Sequence, residues 1–321
     1  MHQLAVIPLA SRAVSELLHV DMAAASDFLA NEKAGSTRRA YRSDFRIFTR
    51  YCAARGLDAL PALPASVMAF LSAEARGGVK VSTLGRRVAA IRYAHKVSGF
   101  EPPTNGEAVK AVMRGIRRTI GAAAEQKAPA TADRLLAMLD QCPATLKGKR
   151  NRALLALGFA GAFRRSELVA LTVADLVEVP GGLRVTIRVS KTDQEGQGQE
   201  IAIPRGTRLG PVEALRNWLA AAGITEGPIF RSVTKAGLVS AAALSGDSVA
   251  DVVKAYATAA GLDADAYSAH SLRAGFLTSG AEAGASIFKL MEVSRHKSVD
   301  TLRGYVRRVD LFKDHAGAGF L

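Results

Sequence analysis

At 321 residues the chain exceeds what one hydrophobic core usually organises, so two domains are expected. A composition of 49% hydrophobic and 22% charged residues excludes global disorder. Forty-three Lys and Arg against 29 Asp and Glu leave a formal charge of +14, which points to a polyanionic partner, nucleic acid first. The excess is uneven: residues 1–128 hold 19 basic and 10 acidic side chains, whereas residues 129–321 hold 24 and 19. Two cysteines, Cys52 and Cys142, cannot build a disulfide framework. The apolar stretch Leu4–Ala10 is short, broken by Pro8 and preceded by no basic segment. The longest apolar run, Ala153–Phe163, falls below the roughly 18–20 residues that span a bilayer. A cytoplasmic, nucleoid-associated chain with no membrane partner is expected.

In chain order, residues 1–21 read as a flexible arm and residues 22–122 as an all-helical domain that holds much of the positive excess. Ser36 is expected to cap a helix with Tyr41, Phe45, Phe48 and Cys52 on one face and Arg38, Arg39, Arg42, Arg46 and Arg50 on the other. Pro64–Ala75 reads as a second helix. Ser82 is expected to cap a third, Thr83–Val97, with Leu84, Val88, Ile91 and Ala94 inward and Arg86 and Arg87 outward. Asn105–Ile120 is a fourth, ending in Arg114, Arg117 and Arg118. Gly121–Thr131 is the best linker, with its centre at 123–130.

Residues 131–321 read as a mixed domain. Helices are expected over Ala132–Gln141 and Lys149–Gly161, followed by two alternating strands, Leu183–Val189 and Glu200–Pro204, across a polar turn. Helices return at Val212–Ala222, Ser248–Ala260, His270–Ala283, Ile287–Val293 and Val299–Val306. No Walker loop or G-x-G-x-x-G opens a helix, so no nucleotide cofactor is expected. The six histidines and two cysteines show no metal-ligand spacing, so no metal site is expected either.

The candidate chemistry is cationic. It comprises Arg164 within Gly-Ala-Phe-Arg-Arg-Ser-Glu-Leu168, Lys191 at a strand end, His270-Ser-Leu-Arg273, and His296 followed by Tyr305. His270 and Arg273, three apart, are neighbours on a helical face. Arginine forks and histidines suit phosphate oxygens, and a phenol beside them suits nucleophilic attack. Taken singly each has an ordinary alternative: Arg164 neutralising a helix end, Lys191 solvated on a turn, H-x-x-R a surface pair, Tyr305 a core residue.

The order and spacing of the set resemble the tyrosine recombinase (phage integrase) family. Gly161–Leu168 resembles its G-L-R-x-S-E-L box, His270–Arg273 its H-x-L-R box, and Arg295–Tyr305 its G-H-x-S-x-x-T-x-x-x-Y box. Val97-Ser-Gly-Phe and Ala108–Arg118 carry the resemblance into the first domain, so that it runs from about Asp21 to Phe312. The family implies an all-helical, SAM-like core-binding domain and a mainly helical catalytic domain with a small β-sheet or hairpin, together forming a C-shaped clamp. It implies that Tyr305 forms a 3′-phosphotyrosyl link while Arg164, Arg273 and His296 hold the non-bridging oxygens. His270 would assist proton transfer, Lys191 would protonate the leaving 5′-oxygen, and Glu167 would orient the Arg164 side. Arg38, Arg39, Arg42, Ser82, Arg86 and Arg87 match positions that face DNA. The implied partners are double-stranded DNA with an inverted-repeat site and a homotetramer on two such sites, with a Holliday junction between cuts. It also implies that Leu311 and Phe312 in the terminal segment dock on a neighbouring protomer. Two rivals stay open: a type IB topoisomerase-like activity, and an idle DNA-binding or architectural protein. Three departures stand out: Arg165 replaces an apolar residue, Ser294-Arg295 replaces Leu-Gly, and Ala274 stands where many members have histidine.

Overall fold

A computed structural model describes residues 21, 22, 24, 28, 32–121, 126–188 and 198–309, with backbone alone for 301 and 306–309. The expected arm up to residue 20, linker residues 123–125, Lys191 and the terminal segment 310–321 lie outside the described residues. The chain divides into two compact units, Met1–Glu125 and Gln126–Leu321.

The first unit is built from α1 (Gly35–Ala53), α2 (Pro64–Arg76), α3 (Val81–Val97) and α4 (Glu107–Ile120). Its core is Phe48, Cys52, Val67, Phe70, Leu71, Leu84, Ile91, Val109 and Met113, with Phe70 edge-on to Phe48 at 5.1 Å. Gly121, at φ +76°, ends α4 in a conformation that side chains rarely adopt. Neither expected serine cap forms. The ladder of α1 already starts at the Ala34 carbonyl, which accepts from Arg38 N, and that of α3 at Lys80, so Ser36 and Ser82 fall inside the first turns. Arg87 also departs from expectation and points inward. It lies three residues after Leu84 and four before Ile91, and so shares their buried face. Buried His95 accepts from Ala62 N through Nε2 at 2.9 Å, which assigns its proton to Nδ1, 2.8 Å from the Ile91 carbonyl. That imidazole ties the α1–α2 connection to α3.

The second unit centres on α6 (Leu146–Ala160), started by Thr145 Oγ1 accepting from Gly148 N. Ala153–Phe159 is buried throughout, as an apolar run without polar faces should be. Around it lie α5 (Ala132–Asp140), the short α7 (Arg165–Ala170), α8 (Pro211–Ala222), α9 (Gly246–Ala259) and α10 (His270–Glu282). Strands β1 (Leu176–Val179), β2 (Gly182–Ile187) and β3 (Gln199–Pro204) form an antiparallel meander, with Val185 opposite Ile201. A second pair, β4 (Arg231–Val233) and β5 (Val239–Ala243), was not expected from its sequence; it is short and has no buried residue, leaving little alternation to read. Residues 126–131 belong to this unit. Ala128 N donates to the Ala266 carbonyl at 2.7 Å and Ala130 N to that of Ser271 at 2.9 Å. The approach is so close that a Cβ on Gly275 would collide with the Ala130 backbone. The last helices, α11 (Ile287–Ser294) and α12 (Val299–Val309), meet α10 through Leu277, Leu290 and Leu302, with Tyr305 packed beside them. No helix among the described residues is long and apolar enough to cross a membrane, and no cluster among them offers three metal-ligating side chains.

Candidate active site

Three segments of the second unit converge. The end of α6 turns through Gly161–Phe163 into α7, with Ala162 at φ +44°, and sets Arg164 at the start of that helix. Glu167, one turn in, accepts from Arg164 N through Oε2 at 2.9 Å and from Arg164 Nη1 through Oε1 at 2.5 Å. A carboxylate in the first turn reaching back to an unpaired backbone N–H is half of a capping box, which accounts for the local S-E-L pattern.

The first turn of α10 supplies His270 and Arg273. Arg273 is buried, and its Nη1 donates to the Ala162 carbonyl at 2.6 Å. Its Nη2 faces the His296 ring, 3.2 Å from Nε2. Ser294 Oγ donates to the Leu290 carbonyl at 2.5 Å, so at 2.7 Å it can only accept from His296 Nδ1. His296 is therefore the Nδ1–H tautomer with its Nε2 lone pair toward Arg273. His270 Nε2 lies 3.0 Å from the Tyr305 hydroxyl.

The pocket is strongly cationic, and proton affinities follow. Burial, then Arg273 and Arg164, push His296 down to about 4, so the ring is neutral at pH 7. Loss of hydration, then the same two arginines, lower His270 as well. Burial and the facing Arg164 and Arg295 bring Arg273 down to about 9, still charged at neutral pH. Burial alone would raise the Glu167 carboxyl, but Arg295 and the Arg164 hydrogen bonds outweigh it and hold the group below its ordinary value.

Arg164, Glu167, His270, Arg273, His296 and Tyr305 thus stand together, while Lys191 lies outside the described residues. Sequence reasoning passed over two contributors. Ser294 orients His296, and Arg295, noted only as a departure, is buried against Glu167. Arg165, the other added charge, turns away and pairs with Asp247 at 2.7 Å. In the first unit Arg39, Arg42, Ser82 and Arg86 are exposed and Arg38 is half-buried. Arg87 is the correction to the expected outward face: it is buried between Asp44, at 3.9 Å, and Glu74. Asp44 was missed, although its spacing of four and eight from Phe48 and Cys52 places it on the buried face. There it holds Arg86 by two hydrogen bonds, 2.6 and 3.2 Å.

Residues 130–310 match the model of the phage integrase family, and residues 26–97 that of the phage integrase N-terminal SAM-like domain. An integrase/recombinase xerD homolog of Selenomonas ruminantium is 38% identical over 294 residues, covering 90% of this chain and 86% of the relative. Recombinase cre of Escherichia phage P1 is 25% identical over 287 residues, covering 83% of this chain and 82% of the relative. A lambda integrase dimer bound to a COC′ core site superposes with a TM-score of 0.58 at 20% identity, over 90% of this chain and 77% of that one, a likeness of fold.

Proposed function

The chain belongs to the phage integrase family and is a site-specific tyrosine recombinase, an enzyme that breaks and rejoins DNA, and from that premise we propose a task for each residue of the pocket. Tyr305 attacks the scissile phosphate. The P–O5′ bond breaks as the phenolic oxygen bonds to phosphorus, leaving a 3′-phosphotyrosyl link and a free 5′-hydroxyl. His270 takes the phenolic proton, and Lys191 gives one to the leaving 5′-oxygen. Arg164 and Arg273 hold the non-bridging oxygens, where negative charge builds up in the transition state. His296 joins them once a bound phosphate restores its affinity for a proton at Nε2. Glu167 orients Arg164. Because the phosphodiester is exchanged rather than hydrolysed, rejoining draws on the energy stored in the tyrosyl link.

The observation that carries this reading is the 3.0 Å contact between His270 Nε2 and the Tyr305 hydroxyl beside two guanidinium groups. In the first unit, Arg38, Arg39, Arg42, Ser82 and Arg86 form the duplex-facing surface, and Arg87 supports it from within. The substrate is double-stranded DNA bearing an inverted repeat. Four protomers on two such sites exchange strands through a Holliday junction. Tyr305→Phe tests the nucleophile: duplex binding should persist while the covalent DNA adduct, read on a denaturing gel, drops to background. A covalent adduct formed by that variant would reassign the nucleophile.

A further inference from the structure

Arg295 has no task in this scheme, yet it is among the most constrained side chains of the unit. It is not glycine but sits in the left-handed region, φ +58° and ψ 42°. Its guanidinium is 1% exposed and reaches four acceptors: the carbonyls of Val293 at 2.5 Å, Gly161 at 3.0 Å and Ala162 at 3.0 Å, and Glu167 Oε2 at 2.8 Å. Its charge lies over the Phe163 ring at 5.3 Å. Two of those acceptors also serve the proposed phosphate ligands. The Ala162 carbonyl takes Arg273 Nη1, and Glu167 takes Arg164.

The sharing at Glu167 has a geometric consequence. A carboxylate facing one arginine is readily taken bidentately, both oxygens by both fork nitrogens. Here Oε2 already accepts from Arg164 N and Arg295 Nη2, so the Arg164 guanidinium is confined to Oε1 through Nη1. Among the described residues its Nη2 makes a long 3.4 Å contact with the Arg295 carbonyl. We infer that Arg295 is a positioning residue for strand cleavage: by occupying Glu167 Oε2 and bracing the Gly161–Ala162 carbonyls, it keeps Arg164 Nη2 available to the scissile phosphate. The inference rests on the reading of Arg164 as a phosphate ligand. It makes the Ser294-Arg295 departure functional. Ser294 sets the ring of His296, and Arg295 sets the fork of Arg164.

Arg295→Gly removes the guanidinium and leaves a residue at ease with a positive φ, so the side chain is tested apart from the backbone. The probe is a nicked duplex, recovered from a randomised library by binding to the wild-type chain, on which covalent adduct accumulates. Duplex affinity should stay within about threefold while the adduct rate falls by about tenfold or more, the pattern of a contact used in the transition state. In a Glu167→Gln background the same deletion should cost clearly less than in the wild type, because the part of its role exerted through the shared carboxylate is gone while the bracing of the carbonyls remains. R295G cleaving at the wild-type rate, or losing as much in the E167Q background as in the wild type, would overturn the inference. Should R295G melt below the assay temperature, Arg295→Lys decides. Lysine keeps a charge at Glu167 but lacks the planar fork that spans the carbonyls. Slow cleavage by R295K supports the bracing role, and wild-type cleavage overturns it. If the wild-type chain forms no adduct that Y305F abolishes, the reading of the site fails instead, a separate and recognisable outcome.

Discussion

Each unit of the molecule buries one carboxylate between two arginines. Asp44, 3% exposed, lies between Arg86 and Arg87; Glu167, 1% exposed, lies between Arg164 and Arg295. In both, one arginine is sunk and structural while the other faces outward. The difference is depth. Arg86 is 51% exposed, so Asp44 stiffens a side chain that remains in water, and Arg87 has a second carboxylate in Glu74. Arg164 is only 18% exposed and Arg295 has Glu167 as its sole ion-pair partner among the described residues. The same triad therefore leaves a solvated arginine in one unit and an enclosed one in the other, where each charge acts through a lower effective dielectric; under the proposed reading the first meets a duplex and the second a phosphate.

The comparison breaks most visibly at the carboxylates. Glu167→Ala strands the Arg295 charge in the interior and should destabilise the second unit by about 3–5 kcal/mol, seen as a large fall in its denaturant midpoint, along with loss of covalent adduct. Asp44→Ala leaves Arg87 paired with Glu74, and the expected loss is about 1–3 kcal/mol. Equal losses at the two sites would mean that depth is not what separates them.

Acid separates the two sites further, because in the second unit His296 lies directly against a buried arginine. His296 binds its proton in the folded chain near pH 4, below the ordinary 6.5, so the unfolded chain is protonated first. Its contribution to stability is whole above pH 6.5 and is lost progressively as pH falls toward 4. Melting of His296→Asn across that window should be flatter than that of the wild type; parallel curves would show that the ring is not held neutral. The second-order adduct rate, which reports the free protein, should show its acid limb below pH 6.5, because burial, then Arg273 and Arg164, also hold His270 down. The smallest effect belongs to Arg86→Ala. It should weaken duplex binding and lower the slope of log affinity against log salt by about one if Arg86 meets a phosphate; an unchanged slope with altered sequence preference would make it a base reader.

Much of the fold is legible along the chain. Leu84 and Ile91 in α3, the apolar run of α6, and the paired strands β2 and β3 follow from periods of 3.6 and 2 that one buried face imposes. The helix boundaries are less legible at Ser36 and Ser82, because a serine fits a first helical turn as well as a cap, and here the ladders start at the carbonyls of Ala34 and Lys80. Strands β1, β4 and β5 carry no alternation strong enough to show.

The helical first unit, the mixed second one and the identity of the cationic set can be read along the chain, since those rest on local periodicity and on motif spacing. Which charges meet depends on the folded contacts. Arg165 and Arg295 look alike in sequence, yet one salt-bridges Asp247 at the surface and the other is enclosed with Glu167, 128 residues away. Arg86 and Arg87 are adjacent, and one residue of helix rotation, about 100°, sends the first to solvent and the second into the core. A charge is worth what its surroundings make it, and those surroundings are assembled from segments that the linear sequence keeps apart.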